Sequence, residues 1–134
     1  MVLPPDADWR AALVAADSVI GDYSSVTLYA TMTNAPILLT RYPYRDANPA
    51  SPGVDMALTA PALSPTRPLA DQIAYAAAEY PRRQYERIAK RISSEPGRFN
   101  DNMRRLMYRI LGLGQPAFAP VTEPVALLDR QVSA

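Results

Sequence analysis

The sequence predicts an α/β chain: one parallel strand–helix–strand unit followed by a helical C-terminal region. Three observations predict it. Two short aliphatic runs, Ser18-Val19-Ile20-Gly21 and Ile37-Leu38-Leu39-Thr40, have the length and composition of buried strands. The stretch between them is long enough for a crossover helix, and a helical crossover makes its two strands parallel. Beyond residue 67, apolar residues recur at helical spacing in three successive stripes. A chain of 134 residues suits one domain of ordinary size.

Asp6 is the expected N-cap of a first helix over 7–16, with Asp8 in its first turn and Trp9, Ala12, Leu13 and Ala16 on one face. The first strand follows at once and ends on Gly21. Ser24 or Ser25 caps the crossover helix, 25–33, which sets Val26, Tyr29 and Ala30 on one face before Asn34-Ala35-Pro36 stops it. Residues 41–66, interrupted by Pro43, Pro49, Pro52, Pro61 and Pro65, read as a long loop with a short extended piece at Val54–Leu58. Helices are predicted over 68–79 (Leu69, Ile73, Ala76, Ala77, Tyr80), 82–93 (Tyr85, Ile88, Ala89, Ile92) and 98–111 (Phe99, Met103, Leu106, Met107, Ile110). Pro81 separates the first two, and Gly112 with Gly114 closes the third. The chain thus divides into a strand–helix–strand portion with its proline-rich loop over 1–66, C-terminal helices over 67–114, and an extended proline-rich tail over 115–134. Two strands are few, because a buried parallel pair needs covering on both faces. Either unassigned segments add strands or the chain is the C-terminal piece of a larger α/β protein, and the second reading is favoured.

Composition narrows the chemistry. With no cysteine there is no disulfide, thiolate metal site or cysteine nucleophile. With no histidine, the commonest general base and metal ligand is missing too, so acid–base work falls to Asp, Glu, Tyr or the single lysine, Lys90. Neither a metal nor a cofactor is expected. Met1-Val2-Leu3-Pro4-Pro5-Asp6 lacks the basic and apolar regions of a signal peptide, and no apolar run approaches the roughly 18–20 residues of a membrane span. The cytoplasm is the default compartment.

The turn Gly21-Asp22-Tyr23-Ser24-Ser25 is the best candidate site. After a parallel strand, the N–H groups that open the next helix are unpaired and carry the positive end of its dipole. Glycine permits a tight exit, and small hydroxyl residues let an anion come close. Ser24, Ser25 and Thr27 offer hydroxyl hydrogen bonds, and Asp22 can orient the turn or meet a ribose or polyol hydroxyl. Arg41, just past the second strand, falls at the same sheet edge as a charge partner for that anion, unless it pairs with Asp46 or Asp55 instead. Tyr42 and Tyr44 can stack on a base, though packing on the domain edge is the plainer reading. For the serines the plain alternative is helix capping alone.

The stretch Ala16-Asp17-Ser18-Val19-Ile20-Gly21-Asp22-Tyr23-Ser24-Ser25-Val26-Thr27-Leu28-Tyr29, followed by Ala35-Pro36-Ile37-Leu38-Leu39, resembles the C-terminal domain of the CDP-glycerol glycerophosphotransferase family. More remotely it is similar to UDP-N-acetylglucosamine 2-epimerases. The resemblance implies a partial Rossmann-like unit of the glycosyltransferase-B type. In that family an Asp-Tyr-Ser-Ser turn follows a hydrophobic strand, and the enzymes build teichoic-acid-like polymers of the cell envelope. Carried over, Ser24 and Ser25 match positions that meet the donor diphosphate, and Asp22 matches the turn aspartate. Leu28 and Tyr29 stand where the related families place an acid on the helix, and the family's catalytic histidines have no counterpart here. The implied ligand is a nucleotide-diphosphate donor, CDP-glycerol or a nucleotide sugar, and the implied partner is an N-terminal domain or a second chain.

Charge is unevenly placed. Residues 82–109 hold nine basic groups (Arg82, Arg83, Arg87, Lys90, Arg91, Arg98, Arg104, Arg105 and Arg109) against Glu86, Glu95 and Asp101, a local +6 that leaves the remainder at −5. The ordinary reading is a solvated face on core-packed helices, with Phe99, Met103 and Met107 in the core. The alternative is weak contact with an anionic membrane, at its inner face, or with an anionic polymer. Nucleic acid is not expected. The function these features suggest is the donor-binding part of a glycosyl- or glycerophosphotransferase-like protein, a fragment or stand-alone half. Its rival is a non-catalytic binding or interaction module on the same fold.

Overall fold

A computed structural model describes residues 3–125 apart from 6, 41 and 96. It is a mixed α/β structure with six α-helices and a two-stranded parallel sheet among the described residues. Helix α1 (Trp9–Ala15) is capped by Asp8, whose carboxylate accepts from the Arg10 N–H at 2.9 Å. The cap expected at Asp6 lies outside the described residues. Hydrogen bonds from the Arg10 side chain and backbone hold the Asp8 carboxyl below its ordinary range.

Strand β1 (Val19–Gly21) pairs with β2 (Ile37–Leu39) in parallel, Val19 opposite Ile37, Ile20 opposite Leu38 and Gly21 opposite Leu39. The crossover is helix α2 (Ser25–Tyr29) running into a 3₁₀ turn, Ala30–Met32, rather than one α-helix over 25–33. Hydroxyls tighten that end: Thr31 donates to the Leu28 carbonyl and Thr33 to the Ala30 carbonyl, each at 2.8 Å and three residues back. The indole of Trp9 stacks on Tyr29, centroids 6.0 Å apart, and fastens α1 to the crossover.

The whole of β2 is buried, and its side chains alternate between two packed layers. Ile37 and Leu39 join Ala30, Tyr42, Met56, Ala57, Ala60, Tyr85 and Ile88 in the main core. Leu38 turns the other way and shares a small cavity with Gln72 and Tyr75 of helix α4 (Leu69–Ala78). Helices therefore cover both faces of β2. Strand β1, expected to be buried, is not, since Val19 and Gly21 are half-buried and Ile20 is 43% exposed. The second edge of β2 is met by 61–63: the Leu39 N–H donates to Pro61 at 2.9 Å and the Leu63 N–H to Leu39 at 2.7 Å, with a single parallel bridge from Leu39 to Ala62.

Two further expectations are corrected. The extended piece at Val54–Leu58 is helix α3 (Pro52–Thr59), so 41–66 is not one long loop. Ser51 caps it by accepting from the Val54 N–H, Pro52 stands at the first helical position where its missing N–H costs nothing, and Asp55 suits the first turn. Met56 and Ala57 then carry α3 into the core. The second correction concerns the last helix, α6 (Phe99–Ile110). It forms nearly where its periodicity puts it, but none of its residues is buried, so Phe99, Met103 and Met107 are not core. Gly112 ends α6 with φ +64°, the Gly112 N–H donating to Arg109 and the Leu113 N–H to Tyr108, a glycine-stopped C-terminus. Helix α5 (Arg82–Ile92) does bury Tyr85, Ile88 and Ala89 as its stripe predicts. In α4 the expected stripe is buried only at Ala76, and Leu69 and Ala77 are exposed. The other buried residue is Gln72, whose side-chain amide accepts from the Ser64 N–H and donates to the carbonyls of Ser64 and Arg67.

From 115 to 125 the chain has no regular structure, and Arg104 holds the start of this stretch by donating to the carbonyls of Pro116 and Phe118. The remainder of the expected tail, 126–134, lies outside the described residues. Among the described residues no helix is long and apolar enough to cross a membrane.

Candidate functional site

The turn after β1 is built around the absence of a side chain at position 21. A Cβ placed on Gly21 would lie 2.1 Å from the Thr27 hydroxyl oxygen and 2.6 Å from its methyl. Glycine there lets the first turn of α2 fold back against the strand end, and the Thr40 N–H closes the exit by donating to the Gly21 carbonyl at 2.8 Å. Asp22 and Tyr23 then cross the exposed tip, where the Ser24 N–H donates to the Asp22 carbonyl at 2.9 Å.

Ser24 is extended, with φ −135° and ψ 159°, as an N-cap should be. Its Oγ accepts from the Thr27 N–H at 3.4 Å and shares a 3.0 Å hydrogen bond with the Thr27 hydroxyl. Thr27 is 3% exposed, so its hydroxyl serves the turn and Ser24. Ser25 is different: it opens the helix and is exposed, and no hydrogen bond engages its hydroxyl among the described residues. The N–H groups of Ser25 and Val26, in the first turn of α2, likewise have no acceptor among the described residues. An anion resting there would meet two open N–H donors and one free hydroxyl.

Of the predicted residues, then, Ser24 and Thr27 are brought together, Ser25 stands beside them and Asp22 lies on the exposed tip. Arg41 lies outside the described residues. Of the two alternative partners suggested for it, Asp46 and Asp55, the latter forms an ion pair with Arg91 of α5. Tyr42 and Tyr44 pack on the domain edge: Tyr42 is buried with its ring 4.9 Å from that of Tyr23, edge to face, and the Tyr44 hydroxyl donates to the Ala57 carbonyl at 3.1 Å.

The sequence reading missed the neighbour of this turn. Gly53, in the first turn of α3, lies so close that an added Cβ would sit 3.1 Å from the Tyr42 hydroxyl and 3.6 Å from the Tyr23 ring. The N-terminal turn of α3 therefore packs against Tyr23, beside the serine turn. The signal was present as Ser51-Pro52 followed by Asp55, a cap, a proline tolerated at the helix start and an acid in the first turn. Burial pushes the Tyr42 phenol above its ordinary range, and its hydroxyl has no partner among the described residues.

A larger concavity of about 510 Å³ lies at the other end of the crossover, between the 3₁₀ turn and α5, lined by Thr31, Thr33, Asn34, Tyr80, Arg82 and Lys90. The serine turn does not line it. The Tyr80 hydroxyl donates across it to the Thr33 carbonyl at 3.2 Å. Its polar groups come from the opposite end of the sheet from the carboxyl ends where open α/β sheets take ligands. Among the described residues no group of acidic side chains is placed to hold a metal ion. Family models, curated proteins and solved structures contain no match to the chain.

Proposed function

We propose that the turn Gly21–Ser25 binds the diphosphate of a nucleotide donor, and that the chain is the donor-binding part of a glycosyl- or glycerophosphotransferase-like protein. The observation that carries this reading is the open first turn of α2, where Ser25 and two N–H groups with no acceptor among the described residues stand past the carboxyl end of a parallel strand. Such a helix start favours negative charge through its dipole and its unmet donors together. The resemblance of the Asp-Tyr-Ser-Ser turn to that of the CDP-glycerol glycerophosphotransferase family supports a nucleotide-diphosphate donor, CDP-glycerol or a nucleotide sugar, and a partial Rossmann-like unit of the glycosyltransferase-B type. In this reading Ser25 and the N–H groups hold the phosphates, Ser24 and Thr27 fix the shape of the turn, Asp22 meets a donor hydroxyl and Arg41 supplies countercharge. Teichoic-acid-like polymer synthesis at the cytoplasmic side of the membrane is the corresponding process.

A second reading, a non-catalytic binding module, is favoured by the complete lack of histidine and by the mutual engagement of the Ser24 and Thr27 hydroxyls. Both readings require the anion site, so one experiment tests the common part. Calorimetric titration with CDP, UDP and CDP-glycerol compares the parent with Ser25→Ala and Ser25→Asp. A carboxylate at the first helical position suits the dipole, so Ser25→Asp keeps its thermal stability while repelling a diphosphate. The expected result is measurable binding by the parent, weakened in Ser25→Ala and lost in Ser25→Asp. Equal binding by the parent and Ser25→Asp, or none by the parent, removes the assignment.

A further inference from the structure

Helix α6 presents an apolar side that is covered only in part: Leu106 is half-buried and shares a small cavity with Phe99, Met103 and Ile92 at the end of α5, while the rest of that side is open. Phe99, Met103, Leu106, Met107 and Ile110 recur at three- and four-residue spacing, so they share one side of the helix. Met107 is 54% exposed and Ile110 72%. Past Ile110 the same surface continues, since Leu111 and Leu113 line one shallow groove of about 430 Å³ with Met103 and Met107. At about 100° per residue, Arg104 and Arg109 fall on opposite borders of that apolar side, and Arg98 and Arg105 lie behind it. Asp101 is the one acid between 98 and 113. Arg105 and Arg109 form no ion pair among the described residues.

We propose that α6 and the turn after it form a docking surface for an anionic lipid bilayer. The helix lies in the plane of the interface with Met103, Met107, Ile110 and Leu111 among the headgroups, Arg109 at the border of that side reaching lipid phosphates, and Arg105 behind it adding to the attraction within a Debye length. Charge and shape select this occupant. An apolar stripe bordered by arginines is the pattern of a helix that lies on a membrane. The twelve-residue helix is about 18 Å long and cannot span one. A second copy of the same face would set arginines against arginines with little acid to offset them, and nucleic acid would leave the apolar side in water. The flexible thioethers of Met103 and Met107 suit an uneven headgroup layer. The inference does not rest on the diphosphate reading.

The test uses the full chain in a vesicle co-sedimentation assay, phosphatidylcholine with added phosphatidylserine against phosphatidylcholine alone, at low and high salt. Binding is expected to the anionic vesicles and to weaken with salt. Met107→Asp/Ile110→Asp, at exposed positions, is expected to keep the parent's circular dichroism and to bind at least tenfold more weakly. Arg105→Glu/Arg109→Glu is expected to lose about fivefold or more for each charge removed. Ser25→Asp should bind vesicles like the parent, which separates this surface from the anion site. Failure to bind anionic vesicles overturns the proposal, as does equal partition into neutral ones or indifference to Met107→Asp/Ile110→Asp. A dimer in sedimentation equilibrium that Met107→Asp/Ile110→Asp dissociates would overturn it in favour of a second copy. Salt-dependent DNA binding without vesicle binding would overturn it in favour of nucleic acid.

Discussion

At position 21 the chain has room for a hydrogen atom and nothing larger. The reason is steric, because Gly21 is not among the glycines with positive φ; its neighbour Thr27 is β-branched, buried and hydrogen-bonded to Ser24, so it has nowhere to move. Gly21→Ala should therefore destabilise the fold by about 1–3 kcal/mol, the usual cost of forcing a methyl into packed surroundings. Urea unfolding checks it, and an unchanged midpoint would mean that the turn packs otherwise. This glycine was legible as a tight exit from the strand. What could not be read was its partner, since nothing in a linear sequence says that the residue six positions on will be folded back against it. Ser24 and Ser25 were legible as a pair, but their roles part only in three dimensions: one hydroxyl caps, the other is open.

Among the elements, α3 shows best how a real signal was outweighed. Five prolines between 41 and 66 argued for loop, yet Pro52 opens the helix rather than breaking it. Ser51→Ala removes the acceptor for the Val54 N–H and should cost about 1 kcal/mol, typical of a lost N-cap. Because Gly53 packs against Tyr42 and Tyr23, the same change should raise amide exchange in α3 and sharpen no other region. Uniform exchange across the chain would contradict that. Helix α6 poses the reverse case. Its period was plain and its helix was found, but period tells which side is apolar and never what lies on it. Strand β2 and α5 were legible down to their buried residues because an aliphatic run and a clean stripe leave few alternatives, whereas β1 was legible as a strand but not in its exposure.

For the whole molecule, the main core closes over the phenol of Tyr85, which is 1% exposed, has no hydrogen-bond partner among the described residues and meets the edge of the Tyr80 ring at 5.5 Å. Burial pushes the Tyr85 pKa up to about 12, and burial raises those of Tyr80 and Tyr42 as well. A raised pKa means that the folded state keeps a proton which the unfolded chain gives up near pH 10. The stability tied to that proton is present in full below about pH 10 and is lost as pH rises toward about 12, by at most ~1.4 kcal/mol per unit for one group. Denaturant midpoints measured from pH 9 to 12 should fall, and Tyr85→Phe, which removes the unpartnered hydroxyl, should flatten the fall without loss at neutral pH. A slope unchanged in Tyr85→Phe would place the titration elsewhere. The parallel pair and the division of charge between 82–109 and the rest could be read from sequence. The covering of both faces of β2 could not, because it depends on how α3, α4 and α5 return to it from long distances along the chain.

The stacking of Trp9 on Tyr29 has a practical sequel. The indole is the only one in the chain, it is 44% exposed, and it sits at the far end of the short helix that Ser24 and Ser25 begin. Its fluorescence is therefore a native optical gauge of whether the first helix remains seated on the crossover. Emission that shifts red before the far-ultraviolet dichroism changes would record α1 lifting away while the sheet and the later helices still stand, with no label attached.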